Sequence, residues 1–244
     1  MARILFQIAV VLAMVFGPAA AQAARVSPMI VELEPTGRGS VARVELTNDS
    51  ERNIPFEVRM MLGEISEEGE LTLTPAEENF LIFPAQAMVE SKSQQVFRVQ
   101  YVGEPELARS EIYYMSIQQI PVEIEAEASQ VQVVINYNVL VNVVPDGVSP
   151  VAAIRSIEPK VVEEESGIQV RLANDGTGYF MAGLSDWTIT GTTQNGQSFS
   201  ESYKGDEMTR KIGVGVIGPG RIRSFFISLD EELVPDSIKI KVEP

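Results

Sequence analysis

The side chains of this chain offer carboxylates and little else that could act on a substrate. It carries 34 acidic residues but no histidine and no cysteine, which removes Ser-His-Asp and Cys-His nucleophiles and the usual zinc ligands. One acidic stretch holds Glu64, Glu67, Glu68 and Glu70. A calcium loop needs oxygen ligands in an Asp-x-Asp-x-Asn-Gly order that this stretch lacks, so it reads as a solvated hairpin turn. A two-carboxylate hydrolase would draw on Glu77, Glu78 or Asp186, and no spacing sets any pair of them across a cleft. No catalytic residue, metal or cofactor is therefore expected, and the chain is not expected to be an enzyme.

What remains is the chemistry of the backbone, displayed by one long strand. In Ser129–Pro145, SQVQVVINYNVLVNVVP, the residues Val131, Val133, Ile135, Tyr137, Val139, Val141 and Val143 alternate without a break. Alternation with β-branched side chains places all of them on one face of an extended strand. The opposite face mixes Gln130, Gln132, Asn136, Asn138 and Asn142 with Val134, Leu140 and Val144, which suggests a second side only partly covered. Strands in globular domains usually run five or six residues, so part of this one is expected to overhang its sheet. A central sandwich strand would also alternate, and the pattern alone leaves both readings open.

The elements that must hold this strand are themselves strands. Arg25–Glu34, Ser40–Thr47, Ile54–Leu62, Leu71–Thr74, Phe80–Phe83, Gln94–Val102 and Glu111–Val122 are extended segments separated by turn residues, with Phe80–Phe83 read as a short buried run. Near-regular spacing without a helical period describes an all-β sandwich, whose last strand is 129–144. Pro145-Asp146-Gly147-Val148-Ser149-Pro150 then reads as an interdomain elbow. Shorter strands follow, Ile168–Ala173, Leu184–Thr190, Gln197–Tyr203, Ile212–Val216, Arg221–Leu229 and Ile238–Val242, with Asn195-Gly196 a strong hairpin signal. They make a second β domain, in which Trp187, the only tryptophan, is expected in the core. The domains are thus 24–145, a linker at 146–150, and 151–244.

Residues 1–23 stand apart. Arg3, the apolar run Ile4–Phe16 and Ala21-Gln22-Ala23 form the charged, apolar and small-residue regions of an export signal. No later segment is apolar for long enough to insert in a membrane. The net charge of −15 argues against nucleic acid and anionic lipid as partners. Without disulfides, an exported chain of this size must rely on hydrophobic cores.

Several of these residues, taken in order, carry a family likeness. Phe80-Leu81-Ile82-Phe83-Pro84, Gln95–Val99, Tyr113-Tyr114 ahead of Ile120-Pro121, the long strand ending at Pro145, and Asn174-Asp175-Gly176-Thr177-Gly178-Tyr179-Phe180 together resemble the periplasmic pilus chaperones of the chaperone-usher pathway, the PapD-like proteins. The resemblance spans essentially the whole chain after the signal. It implies two immunoglobulin-like β-sandwich domains in an L or boomerang arrangement, a periplasmic location, and a non-enzymatic role in fimbrium biogenesis and cell wall organization. The implied partners are pilus or fimbrial subunits and an outer-membrane usher. In that family the chaperone lends the last strand of its first domain to a subunit that lacks one. Carried over, the donor row is Val131, Val133 and Ile135 with Tyr137, the same row that alternation picks out.

The likeness is broken at two places. The family's cleft presents an Arg and a Lys to the subunit's terminal carboxylate, and here the corresponding positions fall at Glu32 and Leu140. Arg25, Arg43 and Arg98 are the candidate substitutes. The family's elbow pairs a Glu with an Arg, and here Gln119 and Val144 stand instead, so packing and hydrogen bonds are expected to hold the angle. A competing reading, a secreted β-sandwich recognition or adhesion module, needs surface aromatics, and aromatic residues are 7% of the chain. An exposed apolar edge also predicts self-association that caps the donor strand when no subunit is bound.

Overall fold

The computed structural model describes residues 24–121 and 134–244. It is all-β, with two sandwiches of immunoglobulin-like type and, among the described residues, one short α-helix. The first sandwich is built from β1 (Arg25–Ser27), β2 (Ile30–Leu33), β3 (Val41–Asn48), β4 (Ile54–Ile65), β5 (Leu71–Pro75), β6 (Phe80–Phe83), β7 (Gln86–Val89), β8 (Ser93–Tyr101), β9 (Glu111–Gln119) and β10 (Asn136–Val143). One sheet has the order β1-β3-β8-β6; the other has β2-β10-β9-β4-β5, with β7 also pairing β4. Val44, Leu46, Phe97 and Val99 from the first sheet meet Phe56, Met60, Met115, Ile117, Val139, Val141 and Val143 from the second in a dry core. Each of these large side chains contributes about 1.5 to 3 kcal/mol by leaving water.

Arg25–Glu34, expected as one extended segment, is two strands in different sheets. β1 pairs antiparallel with β3, and β2 lies parallel to β10. The crossing is made at Ser27-Pro28-Met29, where proline has no N–H with which to continue a ladder. The expectation of a buried run at Phe80–Phe83 also needs correction. Phe80 is buried against Tyr101 and Tyr113, but Leu81 is 60% and Phe83 77% exposed. One face of this sheet meets the core and the other meets solvent, so alternate side chains of β6, like those of its neighbour β8, turn outward.

The second sandwich comprises β11 (Ala152–Val162), β12 (Glu165–Asn174), β13 (Phe180–Met181), β14 (Asp186–Thr192), β15 (Ser198–Tyr203), helix α1 (Gly205–Ile212), β16 (Val216–Ile217), β17 (Ile222–Ser228) and β18 (Lys239–Glu243). Sheets β11-β12-β17 and β15-β14-β18, with the β13-β16 pair, enclose a separate core. Trp187 is fully buried there, edge-on to Phe225, and its indole N–H donates to the Ala182 carbonyl at 2.7 Å. Helix α1 fills a stretch where no element was expected, and the strand expected at Ile212–Val216 is reduced to the short β16. The helix begins after Lys204, whose backbone N–H donates to Glu207, it buries Met208, and it stops at Gly213 with φ 71°, a left-handed value that glycine adopts freely.

The segment joining the sandwiches is sewn to the second one. Asn174 accepts from the Val151 and Gly176 N–H groups and donates to the Gly178 and Ile217 carbonyls. Thr177 and Gly178 both donate backbone N–H groups to the Ser149 carbonyl. A Cβ on Gly176 would stand 2.2 Å from that oxygen, so the turn Asn174-Asp175-Gly176 can pack this closely only without a side chain there.

Candidate functional site

Strand β10 has a neighbour on both sides for only half its length. Along one side it is antiparallel to β9 throughout, from Asn136↔Gln118 to Val143↔Glu111. Along the other, β2 covers only Leu140–Val143, and its ladder begins where the Leu140 N–H donates to the Met29 carbonyl. From Asn136 to Val139 the described residues place no strand on that side. The β9 pairing reaches back one residue further, with the Gln119 N–H donating to the Ile135 carbonyl. A strand with one ladder made and one open offers a row of backbone donors and acceptors to another chain.

The apolar row runs along the same strand with falling burial. Val139, Val141 and Val143 are completely buried. Tyr137 is half-buried against the same core, and its hydroxyl donates to the Ala24 carbonyl. Ile135 is half-buried, while Val134 on the other face is exposed. The parity expected from alternation therefore holds from Ile135 to Val143. Val131 and Val133 lie outside the described residues, as does the part of the expected 129–144 strand before Val134.

The opposite face of β10 is covered more fully than expected. Leu140 with Tyr114 and Val216 forms a buried cluster that Ile30, Ile65, Ile112, Tyr179 and Met181 complete, and it spans both sandwiches. Asn142, opposite Glu32 in β2, is fully buried, and its amide makes no hydrogen bond of acceptable geometry although it lies beside the Tyr179 hydroxyl. That hydroxyl donates to Glu32 at 3.0 Å, and burial pushes its pKa upward. Glu32 and Leu140 thus both sit at the junction between the sandwiches, one hydrogen-bonded and one apolar.

The three candidate cations are elsewhere. Arg43 and Arg98 face each other across β3 and β8, on the side of the first sheet turned away from the core. Arg25, in β1 at the edge of that sheet, pairs with Asp49 at 2.6 Å. None of the three adjoins Leu140, Glu32 or Tyr179.

The acidic hairpin turn, read as solvated, grips the second sandwich. Glu67 accepts from Arg171 Nε at 2.5 Å and Nη2 at 3.0 Å and from the Ser224 hydroxyl at 2.8 Å, while its carbonyl takes the Ser224 N–H. Hydrogen bonds from Arg171 and Ser224 lower its pKa to about 2. Glu64 pairs with Arg221 at 3.0 Å. These contacts join the sandwiches, whereas Gln119 and Val144, the positions expected at the elbow, lie at opposite ends of the β9–β10 ladder and could not meet. Nothing in the spacing of Glu64 and Glu67 marked them, because their partners are more than a hundred residues away.

A two-sandwich β protein whose first domain ends in a half-partnered strand is the class that fold and site define. Residues 28–149 match the family described as pili and flagellar-assembly chaperone, PapD N-terminal domain; that span is half of the chain, and the protein belongs to this family. No curated protein sequence matches it. Among solved structures it is similar to the YadV chaperone, with a TM-score of 0.55 and 13% identity over 90% of this chain and 91% of that one. It is also similar to the class 5 fimbriae chaperone CfaA, with a TM-score of 0.53 and 12% identity over 91% and 99% of the two chains. A chain of the CsuC-CsuE chaperone-tip adhesion subunit pre-assembly complex, from the archaic chaperone-usher Csu pili of Acinetobacter baumannii, aligns with a TM-score of 0.51 and 11% identity over 87% and 97%. At these identities the likeness is one of fold.

Proposed function

We propose that this protein is a periplasmic, non-enzymatic assembly chaperone that binds pilus or fimbrial subunits by lending them a strand and passes them to an outer-membrane usher. The observation that carries the reading is the open side of β10 from Asn136 to Val139, next to an apolar row that continues through Tyr137 and Ile135. A subunit missing one strand exposes unpaired backbone groups, each costing roughly 1 to 3 kcal/mol when buried, and a lent strand satisfies them. Val131, Val133 and Ile135, with Tyr137 at the junction, would fill the subunit's groove, each contributing about 1.5 to 3 kcal/mol when fully buried. Two solved structures similar in fold support it, the CsuC-CsuE complex and the SafA pilin in complex with the SafB chaperone. Residues 1–23 would direct export and be removed. Arg43 and Arg98 are left out of the binding surface because they face away from it, and Arg25 because it is paired with Asp49.

The experiment is co-expression with a fimbrial subunit encoded beside this gene, followed by affinity capture. The wild-type chain and the Arg43→Ala variant should retain the subunit, and Val133→Asp and Ile135→Asp should lose it while keeping a native circular dichroism spectrum. Capture undiminished by both aspartates would refute strand donation.

A further inference from the structure

The second sandwich has a pole remote from the first. β11 and β12 pair from Ala152↔Asn174, beside the segment joining the sandwiches, to Val162↔Glu165 at the far end, where the β12–β17 ladder also ends at Gly167↔Ser228. A cavity of about 260 Å³ opens there. Its floor is the buried set Ile168, Leu229, Leu233 and Ile238, and Val161, 66% exposed, stands in its wall. Small-molecule pockets run from about 300 to 1,000 Å³, so this room suits a large side chain better than a cofactor.

The groove is preformed. The Leu229 N–H donates to the Ser166 carbonyl at 3.1 Å, the Gln194 N–H to the Glu232 carbonyl at 3.2 Å and the Val234 N–H to the Thr192 carbonyl at 2.8 Å. These bonds pin the segment from Leu229 to Ile238 to its neighbours on both sides, so a guest has little of the rim to order.

The charges around it are almost all negative. Glu231 and Glu232 line the groove, and Glu163, Glu164 and Glu165, where β11 turns into β12, and Asp236, next to the lining Pro235, adjoin it; all six are exposed. Among the described residues none of the six forms an ion pair, and Lys160, the one cation in the lining, donates to the Gln169 side chain at 2.8 Å. Glu163 and Glu164 have φ of 49° and 75°, left-handed values for which tight hairpins favour asparagine and glycine. Charge is kept there although the backbone favours other residues.

An apolar groove ringed by unneutralised carboxylates is complementary to a cationic chain that carries an apolar anchor. We propose that this pole of the second sandwich docks a basic peptide segment of a partner protein. One large apolar side chain of the segment sits on Leu229, Leu233 and Ile238, and the lysines or arginines flanking it face Glu231, Glu232 and the turn at 163–165. The groove shares no residue with β10, so this docking is independent of strand donation.

Fluorescence anisotropy with the purified chain tests it. The probe is a labelled peptide of lysines flanking one phenylalanine; one control peptide has alanine for the phenylalanine, and another has glutamates for the lysines. The first should bind saturably and more weakly as salt rises, the alanine peptide about tenfold more weakly, and the glutamate peptide not at all. Glu231→Lys combined with Glu232→Lys should lower affinity for the first peptide by about tenfold or more. Glu77→Lys combined with Glu78→Lys, the same change of net charge on the first sandwich, should leave it within about twofold. All four side chains are exposed, so both double variants should keep the native circular dichroism spectrum. Equal losses in the two double variants would reduce the attraction to net charge and overturn the proposal, as would undiminished binding of the alanine peptide. A concentration-dependent dimer abolished by the pair at 231 and 232 would give the groove to a second copy of the chain and overturn it too.

Discussion

Glu67 and Arg171, 104 residues apart, meet through two hydrogen bonds from one guanidinium to both oxygens of one carboxylate. Paired forks of this kind fix orientation as well as distance. The pair stands at the hairpin tip where the first sandwich reaches the second, so its protonation state bears on the junction more than on either core.

Acid should therefore loosen the junction before it unfolds the domains. The folded-state pKa of Glu67 is about 2, below its ordinary 4.5. A depressed carboxylate contributes fully above the ordinary value and loses its contribution as pH falls through the folded one. The radius of gyration from small-angle scattering should rise between about pH 4.5 and 2, and Glu67→Gln should show the larger radius already at neutral pH with a flatter response. A wild-type radius that is constant across this range would contradict the assignment.

Position along β10 should separate folding from binding. Val141→Asp buries a charge in a dry core and is expected to cost at least about 4 kcal/mol, so the variant should be recovered unfolded or insoluble. Ile135→Asp, just before the start of β10 and only half-buried, should change the urea midpoint little. Equal destabilisation by both would mean that the row is sealed along its whole length.

Asn48 closes the first sandwich with its side chain. Its amide donates to the Arg52, Val89 and Glu90 carbonyls at 2.7, 3.0 and 3.0 Å, and its oxygen accepts from Ser50. Asn48→Ala leaves these groups without partners in a buried site, and urea unfolding should show a loss of about 2 to 4 kcal/mol. A loss under about 1 kcal/mol would mean that water replaces the amide.

An open edge should also attract copies of itself. Size-exclusion chromatography of subunit-free protein should show a concentration-dependent dimer that Ile135→Asp removes. A dimer that persists in this variant would place the contact elsewhere, for instance on the exposed Leu81 and Phe83 of β6.

The all-β class and the phase of β10 could be read from the sequence because Val139, Val141 and Val143 are β-branched and alternate. Where that row stops being core could not, since it depends on β2 beginning only at Ile30, a fact of pairing rather than of period. The role of Glu67 was hidden for a related reason: a carboxylate in a turn looks alike whether it meets water or an arginine a hundred residues on. Phe83 misled in the opposite sense, because an apolar run reads as buried until its strand proves to have one face in solvent. Helix α1 left a local signal, Asp206 and Glu207 followed by Arg210 and Lys211 with Gly213 behind them, in the acid-first, base-last order that suits a helix dipole.

Strand β10 is at once the open edge and, through Leu140 and Asn142, the bearing on which the second sandwich rests. A chain that docks alongside Asn136–Val139 can slide only in steps of two residues, about 7 Å, if its side chains are to keep their faces. The strand is thus a graduated rule whose zero mark is set by the other domain, and a guest aligned to it is held at one of a few discrete heights.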